Sequence, residues 1–428
     1  MRLEIGNIFI EDVKFGATTK IENHTLYVSK EEIETIVLKD DRIKSVSVEL
    51  ARPNESIRIT PVKDVIEPRV KVSGKGAMFP GVTNKVDMVG SGRTHVLKGA
   101  AIVTCGKIVG FQEGIIDMSG IGAEYTPFSK LQNVCLVIEP IEDLKQYEYE
   151  HAARMAGLKV AEYVGLTAKD MEVDEVEVFE TKPLYEQINM YPELPKVGYV
   201  YMLQTQGLLH DTYVYGVDAK QIIPTIMYPT EMMDGAIISG NCVSACDKNT
   251  TYHHQNNPII KNLYSRHGKD FNFTGVIITN ENVYLADKER SSNFTTKLAE
   301  YLGFDGVIIS QEGFGNPDTD LIMNCKKIEE AHIKTVIVTD EYAGRDGLSQ
   351  SLADADLKAD AVVTGGNANE VIVLPPMDKI IGTDDYINKI AGGFDGSLRT
   401  DGSIEVEIQA ITGSTNELGF NKLTTKSI

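Results

Sequence analysis

The chain has 428 residues, enough for two or three domains with a sizeable core, and its mixture of apolar and charged residues is globular. A net charge of −20 excludes a nucleic-acid groove or an anionic membrane as its main partner, because both need clustered Lys and Arg. The longest apolar runs, such as Gly306-Val307-Ile308-Ile309, are too short to span a bilayer.

The first part is β-rich. Alternating patterns predict strands over Leu3 to Val13, Thr25 to Val28, Ile43 to Leu50 and Ile57 to Thr60, broken by Gly16, Pro53-Asn54 and Pro61. Gly90-Ser91-Gly92-Arg93 lacks the strand-then-helix frame of a phosphate loop and is taken as an ordinary turn. Leu131 to Glu139 is a further strand. Ala152, Met155, Leu158, Ala161 and Val164 fall at helical spacing and predict an amphipathic helix over Leu144 to Val164.

From about Val197 the pattern changes. Short buried strands are expected at Gly198 to Leu203, Ala236 to Ser239, Gly275 to Thr279, Gly306 to Ser310, Thr335 to Thr339, Asp360 to Thr364 and Val371 to Leu374. Helices are expected from a Ser291-Ser292 cap to Leu302, from Pro317 to the Ile328–His332 region, and from Gly347-Leu348 to Ala355. Apolar strands alternating with helices predict an α/β fold. In this reading the C-terminal half is a mainly parallel sheet covered by helices. Residues 1–190 form a β-rich α+β domain, and 191–428 the α/β domain.

The strands end in polar residues: Asn241 and Cys242, Asn280, Gln311-Glu312, Asp340-Glu341 and Gly365-Gly366-Asn367. Ligands bind beyond the carboxyl ends of the strands in open α/β sheets. These residues are therefore expected to gather on one rim. Polar residues also end strands wherever loops meet water, so the rim is only a pointer.

Cys242 is one of five scattered cysteines, an odd number that does not form a secreted disulfide framework. The N-terminus, Met1-Arg2-Leu3-Glu4-Ile5, has no apolar core of signal-peptide length, and a cytoplasmic location is expected. In Gly240-Asn241-Cys242 the thiol stands next to a carbonyl it can attack, with permissive torsions expected at Gly240 and Asn241. An N-to-S acyl shift followed by β-elimination would cut the chain and convert residue 242 to a pyruvoyl group, an electrophilic ketone. Three other readings stand beside this one. Cys242 can be a buried structural residue. It can join Cys246, His253 and His254 around zinc. It can be a nucleophile with His253, His254 or His267 as base.

The opening Met1-Arg2-Leu3-Glu4-Ile5-Gly6-Asn7-Ile8, the segment Gly240-Asn241-Cys242-Val243-Ser244-Ala245-Cys246-Asp247 and the following Tyr252-His253-His254-Gln255-Asn256-Asn257-Pro258 resemble the proproteins of component B of the clostridial glycine reductase complex. D-proline reductase has a more distant proprotein of the same type. The resemblance implies an oxidoreductase subunit cleaved between Asn241 and Cys242 into chains 1–241 (β) and 242–428 (α), with residue 242 becoming pyruvoyl. It further implies a Schiff base with glycine. A selenoprotein γ subunit as partner, the component A selenoprotein and component C then lead to acetyl phosphate and ammonia. Sarcosine and betaine are the alternative substrates, and a zinc-binding or scaffold subunit without pyruvoyl is the alternative role. His253 and His254 are candidates for proton transfer. Arg266, Arg345 and Glu312 are candidates for holding the substrate.

Overall fold

The computed structural model describes residues 1–421 and the backbone of 424–426. It is a mixed α/β protein built on three larger sheets. In the first, Glu175–Glu180, Arg2–Phe9, Gly92–Lys98 and Arg69–Ser73 lie side by side. The second runs in the order Gly114–Asp117, Ile57–Ile66, Ala100–Cys105, Gln132–Pro140, Ile43–Ala51. The helix Gln146–Gly165 lies across it, seated close because Gly157 leaves no room for a Cβ beside Thr104 and Ile66.

The third sheet has the order Thr225–Met227, Asn272–Asn280, Lys196–Leu203, Gly306–Ser310, Lys334–Glu341, Val362–Asn367, Thr424–Lys426. Its five inner strands are parallel and its two edge strands antiparallel. Lys196–Leu203 shows why both faces need cover. Tyr199, Tyr201 and Leu203 enter one core with Ile260 and Leu263, while Val200 and Met202 enter another with Leu321 and Ile328. Residues of period two thus feed two cores. The helices Leu285–Tyr301 and Asn316–Glu330 pack together against the second of these.

Several elements differ from the pattern-based expectation. Ile57–Ile66 continues through Pro61, because its pairing with Gly114–Asp117 shifts register between Ile59 and Val62, so that the missing N–H falls in a bulge. Ser291 and Ser292 are buried inside a helix that starts at Leu285, and Ser292 Oγ donates to the Lys288 carbonyl at 2.8 Å instead of capping. Residues 347–355 form bends and irregular backbone, with Leu348 exposed, so their apolar residues share no helical face. Val371–Leu374 pairs antiparallel with Ile404–Glu407 in a separate ribbon. The turn at Gly90 is an ordinary one whose N–H donates to Asp234 at 2.7 Å.

Segments far apart in sequence interleave. Lys379–Gly382 adds in parallel to Ile57–Ile66, and the antiparallel edge strand Thr225–Met227 completes the sheet that Asn272–Asn280 leads. Among the described residues no helix is long and apolar enough to cross a membrane.

Candidate active site

Ile237–Ile238 pairs antiparallel with Tyr213–Val214 in a small three-stranded sheet, so Asn241 and Cys242 do not end a strand of the parallel sheet. They nevertheless reach its rim. The Leu208 N–H, beyond strand Lys196–Leu203, donates to the Cys242 carbonyl at 3.2 Å, and Glu312, beyond Gly306–Ser310, accepts from the Asn241 side chain. Gly240 has no left-handed torsion. It is glycine because a Cβ there would sit 2.4 Å from the Asp211 carbonyl and 2.6 Å from the Tyr213 ring.

The peptide between Asn241 and Cys242 is held from every side. Ser239 Oγ donates to Asn241 Oδ1 at 2.6 Å. Asp64 accepts from the Thr251 N–H at 2.9 Å and from Thr251 Oγ1 at 2.7 Å, and Thr251 Oγ1 in turn accepts from the Ser239 N–H at 3.1 Å. The Asn241 carbonyl oxygen accepts from Lys63 Nζ at 3.0 Å and from Lys248 Nζ at 2.9 Å. Lys248 Nζ also donates to the Lys63 carbonyl. Both lysines are buried, as are Asn241 and Cys242.

Electrostatics separates the two cations. Burial acts to lower Lys63, but Cys242, Glu150 (3.6 Å away) and Asp64 outweigh it and hold Lys63 above the usual lysine value. Burial and the neighbouring Lys63 charge lower Lys248 to about 8. Burial pushes the Cys242 thiol up, and Lys63 and Lys248 pull against that rise. Glu150 is kept below the ordinary carboxylate value because Arg154, at 3.1 Å, and Lys63 overcome its burial.

The cleft around Cys242, lined by Val62, Lys63, Gln112, Glu113, Asn241 and Lys248, has a free volume of ≈ 0 Å³ and admits no water. Gln112 also lines an open pocket of ≈ 240 Å³ that Val243 and Ser244 enter directly after Cys242. Gln204, Asp247 and Tyr342 line it further, with the Phe314 and Tyr342 rings 4.3 Å apart. Burial raises Asp247 to about 6.

His253 and His254 are buried on the helix Thr251–Gln255. The Thr250 N–H donates to His253 Nδ1 at 3.0 Å, which places the proton of the neutral ring on Nε2. Tyr201 Oη lies 2.8 Å from His254 Nδ1. Burial holds His253 well below the ordinary value and lowers His254 to about 3, so both are neutral. His267 caps a helix and accepts from the Phe273 N–H at 3.0 Å. Cys246, Asp247 and Asp340 bring ligand atoms within 4.8 Å of one another. The imagined zinc set is not what the fold assembles among the described residues: Cys242, His253 and His254 are not part of that group.

Glu312 stands in the site, whereas Arg266 and Arg345 do not line the pocket or the cleft. Arg266 is exposed and paired with Asp270 at 2.7 Å; Arg345 is exposed, paired with Glu407 at 2.6 Å and stacked on Phe394. The residues that sequence reasoning missed are Lys63, Lys248, Asp64 and Glu150. One signal was visible: Lys63-Asp64 is a charged pair inside the otherwise apolar Val62 to Ile66 run. Buried charges need partners, and such a pair in a strand marks a place where the core is polar.

The family model for glycine/sarcosine/betaine reductase component B subunits matches residues 1–426. The chain belongs to this family. It is 70 % identical over 429 residues to the glycine reductase complex component B subunits alpha and beta of Acetoanaerobium sticklandii, covering all of both chains. It is 64 % identical over 426 residues to the sarcosine reductase complex component B subunit alpha of Peptoclostridium acidaminophilum, and 41 % identical over 441 residues to the betaine reductase counterpart from that organism, again covering all of each chain. No solved structure matches.

Proposed function

We propose that this chain is the proprotein of a glycine reductase component B, cut between Asn241 and Cys242, with residue 242 converted to a pyruvoyl group that activates glycine. The observation that carries this reading is the position of the Asn241-Cys242 peptide. It is buried where segments 1–241 and 242–428 share sheets, and residues 243 and 244 lead straight from it into the 240 Å³ pocket. A break there leaves both products held together and puts a new chain end beside a polar cavity.

The residues present fit such a group. The precursor cleft is dry and closed, and buried Lys63 and Lys248 stand on it. When bound, a pyruvoyl group supplies a ketone that condenses with a primary or secondary amine and withdraws electrons from the adjacent C–N bond. The chain's own groups supply the surroundings. Gln112 and Gln204 line the pocket with amide groups that can meet a small carboxylate, while Gln206 and Asn316 beside them are bonded to the Asn282 carbonyl and to each other. Asp247, raised to about 6, is poised to exchange a proton near neutrality. His253 and His254 are neutral and buried, held by Thr250 and Tyr201.

Glycine is favoured over its N-methylated relatives by identity, 70 % against 64 % for the sarcosine and 41 % for the betaine component. The complex of the named relatives implies partners, and a nucleophile-bearing selenoprotein subunit, with components A and C downstream, completes reduction to acetyl phosphate and ammonia. The Phe314–Tyr342 mouth of the pocket is open to such a partner. The surroundings are expected to be cytoplasmic, where the five buried thiols stay reduced.

Intact-mass analysis of the purified protein tests the reading. Two fragments are expected, the second without a free N-terminal amine, and borohydride with labelled glycine should label that second fragment. A single uncut chain, or cleavage of Cys242→Ala at the parental rate, would sink it.

A further inference from the structure

We propose that Lys63 and Lys248 are the catalytic pair for cleavage at Asn241-Cys242, Lys63 as the fixed positive charge on the scissile oxygen and Lys248 as the group that carries the proton. This deepens the reading above and rests on it. The geometry is specific: the carbonyl that Cys242 must attack receives two buried side-chain amines, at 3.0 Å and 2.9 Å. A carbonyl oxygen that accepts from two amine donors, one of them a fixed cation, is an oxyanion hole already assembled in the ground state. A buried ammonium is costly, and Lys63 has its own carboxylate partner in Glu150 at 3.6 Å.

The two lysines are not equivalent. Lys63 is held charged by Glu150 and Asp64, whereas Lys248 has been lowered to about 8. A neutral amine retains two N–H groups and a lone pair. The two bonds that Lys248 donates, to the carbonyls of Asn241 and Lys63, use both N–H groups and leave its lone pair free in the cleft it shares with Cys242. Burial holds the Cys242 thiol protonated, so some group must take its proton before it can attack.

The step then balances with water as the one added reagent. Lys248 takes the proton from Sγ, and the sulfur electron pair forms an S–C bond to the Asn241 carbonyl carbon. The C=O pair moves onto oxygen, between the two ammoniums. As that oxyanion collapses, the C–N bond breaks, and the electron pair on the Cys242 nitrogen takes the proton back from Lys248. The product is a thioester between Asn241 and the Cys242 side chain. Lys248, neutral again, takes the Cα proton of residue 242; the electron pair left behind forms the Cα=Cβ bond and expels the sulfur from Cβ. The sulfur stays with Asn241 as a thiocarboxylate and residue 242 becomes an enamine. The enamine shifts a proton from nitrogen to Cβ to become an imine, and water from the open pocket that Val243 and Ser244 line adds to it and releases ammonia, leaving the ketone. No oxidant or reductant enters.

The test follows cleavage of the full-length chain by intact mass, with parent, Cys242→Ala, Lys63→Met, Lys248→Met and Lys248→Arg compared. Lys63→Met and Lys248→Met should slow cutting by roughly 100-fold or more, the cost of losing one oxyanion donor. Lys248→Arg keeps a charge but cannot release a proton near neutrality, so it should also be cut slowly and should lose the parent's rise in rate as pH passes about 8. Added hydroxylamine should cut any variant that reaches the thioester but none that stops before it. Lysine variants cut at the parental rate, or a Lys248→Arg chain with the parental pH profile, would overturn the proposal. Should a methionine variant fail to fold, the pH profile of Lys248→Arg decides alone. If the parent itself stays uncut, the underlying reading fails instead; a cut parent with unaffected lysine variants removes only this pair.

Discussion

The Glu312 carboxylate accepts from the Asn241 side-chain amide and, through the same oxygen, from the Asn249 N–H at 2.8 Å. One buried acid thus fixes both flanks of the loop that carries Cys242. Burial, aided by Asp247, raises it well above the ordinary carboxylate value, so it is a neutral acid whose second oxygen has no partner. Glu312→Gln preserves the accepting oxygen and should be cut within a few-fold of the parent rate. Glu312→Ala strands two buried donors, which costs about 1–3 kcal/mol each. It should lower stability by that order and slow cleavage at least about tenfold, since a misplaced reacting group is expensive. Equal cleavage by the two variants would show that the loop is positioned without Glu312.

Stability should fall as pH rises from about 6.5, above which His253 and His254 are neutral in the unfolded chain too, towards about 8, where Lys248 and Lys261 begin to act in the other direction. Glu281, Glu312, Glu417 and Asp340 are all raised well above their ordinary values by burial. Each keeps a proton in the fold that the unfolded chain gives up near its ordinary value of 4.5 or 3.8. The folded state therefore binds more protons, and each such group removes about 1.4 kcal/mol of stability per pH unit until its own folded value is passed. Glu67 and Glu150, lowered through Arg69 and Arg154, act in the other direction, but their contribution is lost only as pH falls below about 4.5. Lys248 and Lys261 each offset one group above about 8. Urea midpoints of the uncut Cys242→Ala chain measure this; a midpoint that rises from the lower to the higher pH would contradict it.

The pair Arg58–Asp117, at 2.6 Å and fully buried, should be far more valuable than the surface pairs of Arg266 and Arg345. Arg58 also donates to the Pro375 carbonyl at 3.0 Å, tying segments 317 residues apart. Asp117→Ala leaves a buried guanidinium unpaired, a loss of about 3–5 kcal/mol. Arg266→Ala and Arg345→Ala should each cost less than about 1 kcal/mol. If Arg345→Ala instead abolished glycine labelling while leaving cleavage and stability intact, Arg345 would hold the substrate after all.

The site was legible in the sequence where chemistry is local and illegible where it is not. Asn241-Cys242 is a dipeptide, and its importance can be read from adjacent residues. Lys63 lies 178 residues away, and nothing in a linear reading says that a lysine in an apolar strand will end on that carbonyl. Arg345 looked suitable because it follows a strand end, but position along a strand does not fix where a long side chain points. The same limit governs the fold. Ile57–Ile66 was cut short at Pro61 because a bulge depends on the partner strand, and residues 347–355 mimicked a helix because periodicity is silent about what packs against it. Strands buried on both faces, such as Gly306–Ser310, were found because their apolar runs need no partner to be recognised.

Chains 1–241 and 242–428 should stay together after cleavage without any covalent link. Lys196–Leu203, from the first product, lies between Asn272–Asn280 and Gly306–Ser310 of the second, hydrogen-bonded on both sides. Thr225–Met227 closes the edge of that sheet, and Lys379–Gly382 of the second product pairs with Ile57–Ile66 of the first. The Tyr199, Tyr201 and Leu203 side chains fill a core with Ile260 and Leu263 from across the cut. Pulling the products apart would expose central strands on both faces, at about 25 cal/mol per Å² of apolar surface. The cut protein should therefore run as one species in size-exclusion chromatography, melt in one transition, and resolve into two chains only in denaturant. Separate elution of the two products in native buffer would mean that the shared sheets are not what holds the mature molecule together.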